Sequence, residues 1–192
     1  MASTPSYGVV LPNGSQTVHG SGVKVMDPFI VIPVTLHELS PGHSDRRPAF
    51  RGEKLGTLVY ERIFVIGGVA LVELGGKIYV IPPQTLVTIA PGVPHTWTAC
   101  PKGVNLSKNT GSNEKDEIIS EGRFLMLYEY EETTGFFPTA QTETLTSVEE
   151  YVRCDDLESI RIPLLTAQEV ESRCWFVKDD EIFQAQEEPL KV

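Results

Sequence analysis

"GVALVELGGKIYVIPPQTLVTIAPGVPH" runs from Gly68 to His95. Three short β-branched, apolar runs, "VALVEL", "KIYVI" and "TLVTIA", are separated by Gly75-Gly76 and Pro82-Pro83. Runs of this length, with turn residues every several positions, predict short antiparallel strands in a sandwich or small barrel. The stretch ends at Pro91-Gly92-Val93-Pro94 and His95, and His95 is one of only four histidines in the chain.

The same texture continues on both sides. Upstream, "LGTLVYERIFVIGG" reads as a strand stopping at Gly67-Gly68, and "DPFIVIPVTLHEL" reads as a buried strand. The polar segment 40–54 lies between them as a loop. Downstream, "HTWTAC" and "RFLMLYEYE" are strands, separated by the polar segment 101–122. That segment is long for a loop inside a compact domain, so it is either a lid or a disordered stretch. From residue 144 the apolar spacing becomes helical in "SVEEYVRCDDLESI" and "TAQEVESRCWF", with Thr146, Ser147 or Thr166 as N-caps. The first 26 residues hold either a leading strand in "TVHGSGVKVM" or a loose arm. The expected division is an N-terminal arm at 1–26, a β-barrel at 27–132 and a helical extension at 133–192.

With 192 residues, 41% of them hydrophobic and 22% charged, the chain can bury one sizeable core. A formal net charge of -10 argues against binding nucleic acid or an anionic membrane surface. No apolar run approaches bilayer-spanning length. The start lacks the basic and apolar regions of a secretory signal. Cys100, Cys154 and Cys174 have no metal-site spacing and are odd in number, which fits reduced thiols. A cytoplasmic protein with a small-molecule substrate is the expectation.

Residues 58–98 resemble a barrel of the cupin superfamily almost strand for strand. Pro91-Gly92-Val93-Pro94-His95 matches the second motif of that family, and Glu61 with Gly68 matches the end of the first. The resemblance implies an all-β fold, an antiparallel double-stranded β-barrel of jelly-roll type, here with C-terminal α-helices. It also implies homodimerisation through an outer sheet, unless the C-terminal segment covers that edge within one chain. Metal-binding cupins carry a His-x-His pair three or four residues before the Glu. Here that window holds Lys54, Leu55, Gly56 and Thr57, so the pair is missing. The usual Gly-Asp turn is replaced by Pro83-Gln84.

A labile divalent metal such as iron takes three or four N/O ligands. The matched positions supply one imidazole, His95, and one carboxylate, Glu61. The metal-bound alternative therefore needs His37 or His43 to complete a non-standard set; the preferred expectation is no cofactor. Strand alternation that turns Glu61 inward also turns Thr57, Val59, Ile63 and Val65 inward. Likewise Trp97 and Ala99 follow His95, while Tyr128 and Tyr130 share a face with Phe124 and Met126. A cavity of this kind suits an uncharged, largely apolar ligand, with Thr57, Ile63, Trp97, Tyr128 and Tyr130 as contacts. A His/Glu couple shuttles a proton near neutral pH. That supports isomerisation, dehydration or cyclisation, of the kind that the resemblance to single-domain cupins of fungal polyketide and terpenoid pathways implies. A metal-dependent dioxygenase and a non-catalytic binder are the alternatives.

Overall fold

A computed structural model describes residues 7–19, 36–39, 58–107, 117–130, 137–178 and 181–184. The strands are β1 (Tyr7–Val10), β2 (Gln16–His19), β3 (Leu36–Leu39), β4 (Glu61–Gly68), β5 (Ala70–Leu74) and β6 (Lys77–Ile81). They continue with β7 (Thr85–Ile89), β8 (His95–Ala99), β9 (Phe124–Tyr130), β10 (Trp175–Lys178) and β11 (Glu181–Gln184). Two sheets result. One has the order β1-β2-β7-β4-β9-β3, the other β11-β10-β6-β5-β8.

Residue alternation explains why both sheets are stable. In β4, Glu61, Ile63 and Val65 are buried, while Arg62 is exposed. In β5, Ala70, Val72 and Leu74 join the core between the sheets, whereas Leu71 joins a second core on the outer face. Adjacent Tyr79 and Val80 of β6 divide in the same way, as do Val177 and Phe176 of β10. Period-2 side-chain direction thus feeds two apolar layers from one sheet. This is why β5 and β8 are buried at every position. The Gly75-Gly76 turn has φ of 55° and 75°, the paired positive values that a tight hairpin twisted like its strands requires. Gln84, in the Pro83-Gln84 turn, has φ of 60° and is the one non-glycine with positive φ among the described residues.

Four expectations meet the structure as follows. First, the all-β expectation holds in two sheets, and among the described residues no ladder joins them into a closed barrel. Second, the C-terminal segment is not a set of α-helices. "SVEEYVRCDDLESI" forms two short 3-10 turns, Val148–Glu150 and Leu157–Ile160. The described part of that segment holds one α-helix, α1 (Ala167–Arg173), started by a Thr166–Glu169 capping box. The helical reading of "CWF" fails because Trp175–Lys178 pairs in parallel with β6, satisfying backbone groups of an otherwise open edge. Third, in the N-terminal segment β2 covers the first residues of "TVHGSGVKVM", as the leading-strand alternative expects. β1 and β2 form a hairpin, and β2 pairs with β7, so Leu11 is 2% exposed within the main core. Fourth, the described flanks of the 101–122 loop are tied to the fold. Val104, Leu106 and Ile118 pack on the second core, and Asn105 bridges to Ile119.

Candidate functional site

Glu61 opens β4 and His95 opens β8, so the two residues come from opposite sheets. His95 Nε2 lies 3.0 Å from Glu61 Oε2, with side-chain exposures of 2% and 3%. The other ring nitrogen, Nδ1, lies 3.0 Å from the carbonyl oxygen of Val93. A carbonyl only accepts, so Nδ1 carries a proton and donates. In the neutral ring, Nε2 is then a bare lone pair facing a carboxylate oxygen. Two acceptors do not rest 3.0 Å apart in a dry site without a cation between them. With a proton as that cation, the pair is imidazolium with carboxylate or imidazole with carboxylic acid. The carboxylate oxygen stands off the line of the ring N–H, so neither atom completes an aligned hydrogen bond. Both keep capacity for a third group.

The turn that carries His95 is held from outside the sandwich. Gly92 has φ of 78° and its carbonyl accepts from Leu145 N at 2.9 Å. Leu145 packs with Phe137, Leu58, Val148 and Tyr151 in a third apolar cluster. Val93 N donates to Ala90 O at 3.3 Å, which closes the turn and presents the Val93 carbonyl to the imidazole. Segment 137–151 is thus a strap over this turn. The motif names Gly92 and His95, but nothing in the sequence marks Leu145 or the Val93 carbonyl as their support.

Other expected site residues are distributed as follows. Ile63 and Trp97 lie in the core between the sheets. Trp97 stacks on Phe124 with ring centroids 6.2 Å apart, and its indole nitrogen has no hydrogen-bond partner. Tyr128 is half-buried and packs against the same core. Tyr130 stands opposite Glu61 in the ladder between β4 and β9, and its side chain lies outside the described residues. His37 stands opposite Met126 in the ladder between β3 and β9, and its side chain also lies outside them. Thr57 and His43 lie outside the described residues altogether.

Glu61 and His95 provide two of the three or four donors that a divalent ion takes, and the third of the metal-bound alternative, His37 or His43, has its side chain outside the described residues. Among the described residues no three His, Cys, Asp or Glu side chains converge. Cys100 and Cys174 belong to the second core, where burial pushes their thiols up to about 12 and about 11 respectively. They are packing residues, without the thiolate character of nucleophiles or ligands.

Fold and site together define a two-sheet, mostly antiparallel sandwich with a buried imidazole–carboxylate pair bridging the sheets. A solved structure similar to this chain is that of a cupin 2 domain-containing protein from Halorhodospira halophila. The two share 17% identity, with a TM-score of 0.34, over 71% of this chain and 86% of that one. No family model matches the chain, and no curated protein matches it. None of the described helices is long and apolar enough to cross a membrane.

Proposed function

We propose that this protein is an acid/base enzyme that rearranges a small, largely apolar metabolite without a metal, by isomerisation, dehydration or cyclisation. The observation that carries the reading is the 3.0 Å approach of His95 Nε2 to Glu61 Oε2 with Nδ1 already committed to Val93. One proton resides on two heteroatoms that burial shields from bulk water. Such a pair can give that proton to one atom of a ligand and accept another from a second atom, with no net change. The neighbours in the sheets are apolar: Leu74 stands opposite His95, Ile89 stands opposite Glu61, and Ile63 and Trp97 lie two residues along the same strands. Among the described residues no Lys or Arg is buried, which disfavours phosphorylated or multiply anionic ligands.

The test uses protein purified without chelators. Its metal content is measured, and uptake of solvent deuterium is followed in small neutral ketones and enones. The expected result is uptake that survives dialysis against EDTA and disappears in Glu61→Gln and His95→Gln. Stoichiometric iron, manganese, nickel or zinc that is lost with His95 would overturn the metal-free reading. Uptake unchanged in both variants would overturn the acid/base assignment.

A further inference from the structure

We infer that the site takes an uncharged carbonyl compound, whose oxygen is held by the indole N–H of Trp97 while its acidic C–H bonds face Glu61 and His95. This rests on the acid/base reading and names its substrate class. Three buried side-chain polar atoms lack a hydrogen bond among the described residues: Glu61 Oε2, His95 Nε2 and Trp97 Nε1. Glu61 Oε2 and His95 Nε2 face each other at 3.0 Å, which leaves the Trp97 indole N–H as the buried group that needs an occupant, either water or a ligand. All three belong to the inner surfaces of the sandwich, and His95 and Trp97 are alternate residues of one strand.

The chemistry of the three atoms is complementary. An indole N–H only donates, so its occupant presents an acceptor. The His95–Glu61 pair both gives and takes protons, so its occupant presents a position able to lose one. A carbonyl group with neighbouring C–H bonds supplies both features. Charge narrows the class further. The pair with its one proton is neutral overall, and no buried Lys or Arg among the described residues would balance an anion. The Phe124 ring stacked on Trp97 continues the apolar wall.

The step is redox-neutral. A C–H bond beside the carbonyl breaks and its proton passes to the pair. The bonding electrons form a C=C bond, and the carbonyl π electrons move onto oxygen, where the Trp97 N–H stabilises them. Return of a proton from the pair to another carbon of the conjugated system restores the C=O bond and completes an isomerisation.

The chain has two tryptophans, so a 15N-labelled sample shows two indole N–H signals, and Trp175→Phe assigns them. Acetophenone is titrated against α-methylstyrene, which replaces C=O by C=CH2, and against benzoate. The expected result is a saturable downfield shift of the Trp97 N–H with acetophenone only. The preference for the ketone over the hydrocarbon is about fivefold to tenfold, one hydrogen bond's worth, and Trp97→Phe removes it. An unmoved Trp97 signal up to the solubility limit of the ketone overturns the inference. So does an equal response to α-methylstyrene, or tighter binding of benzoate. Deuterium uptake at the acetophenone methyl is measured on the same sample. Uptake without a Trp97 shift overturns the carbonyl assignment and leaves the acid/base reading standing. A Trp97 shift without uptake supports carbonyl recognition and removes the acid/base reading.

Discussion

Gly92→Ala probes the strap that holds the His95 turn. A Cβ at this position would sit 2.0 Å from the carbonyl oxygen of Leu145 and 3.0 Å from Leu58 Cδ1, on a backbone with φ of 78°. The left-handed backbone costs an alanine about 1 kcal/mol. Moving the Leu145 carbonyl also pulls away the Leu145 N–H that bonds Gly92 O, at about 1 kcal/mol. Loosening Leu145 and Leu58 within their cluster with Phe137 and Tyr151 adds about 1 kcal/mol. The total is about 3 kcal/mol, a fall in Tm of roughly 6–12 °C for a chain of this size. Gly103→Ala is the control. Its φ is 95°, but nothing lies within 4 Å of an added Cβ, so only the backbone cost of about 1 kcal/mol applies. Urea unfolding of both variants, with the 15N shifts of the His95 ring, checks the reasoning. The account expects Gly92→Ala to lose about 2 kcal/mol more than Gly103→Ala and to shift the His95 Nδ1 resonance, because the Val93 carbonyl moves with the turn. Equal destabilisation of the two, with an unmoved His95 ring, would refute it.

Further outcomes follow from the second core and the cap. Native protein treated with a thiol reagent at mild pH should lose only Cys154 quickly, since Cys100 and Cys174 are buried; three fast thiols would contradict the packing. Both buried thiols have their pKa raised above the ordinary 9.0. The folded state therefore holds its protons longer than the unfolded chain. The stability they confer is complete below about pH 9 and is lost as pH rises towards about 11 and about 12. Urea midpoints measured from neutral to alkaline pH should fall, and Cys174→Ala should fall less steeply. Phe176→Ala removes a ring that is 1% exposed and stacked on Phe183, and should cost about 3–5 kcal/mol by thermal unfolding. Leu164→Ala, at a side chain 76% exposed, should stay within about 0.5 kcal/mol of the parent. Thr166→Ala breaks the capping box of α1 and should cost about 1 kcal/mol.

What could be read from the sequence was what local chemistry dictates. Gly75-Gly76 announces a hairpin, buried Ile63 and Val65 alternate with less buried neighbours, and Thr166 stands three residues before Glu169. Tertiary pairing could not be read. "CWF" continues the helical pattern of "TAQEVESRCWF", but the open edge of β6 takes Trp175 and Phe176 as a strand. The site was legible as two residues and not as a mechanism. Glu61 and His95 stand in recognisable positions, whereas the proton count depends on the Val93 carbonyl fixing Nδ1. That carbonyl is held by a turn whose support, Leu145, lies 50 residues further along the chain than His95. A backbone group held by a distant strap leaves no side-chain signature.

Neutron diffraction on deuterium-exchanged crystals tests the central claim, that Glu61 and His95 share one proton. The expected map shows deuterium on His95 Nδ1 directed at the Val93 carbonyl, and a single deuterium on either His95 Nε2 or Glu61 Oε2. A bare Nδ1, or a Nε2 and Oε2 that both lack deuterium, would contradict it.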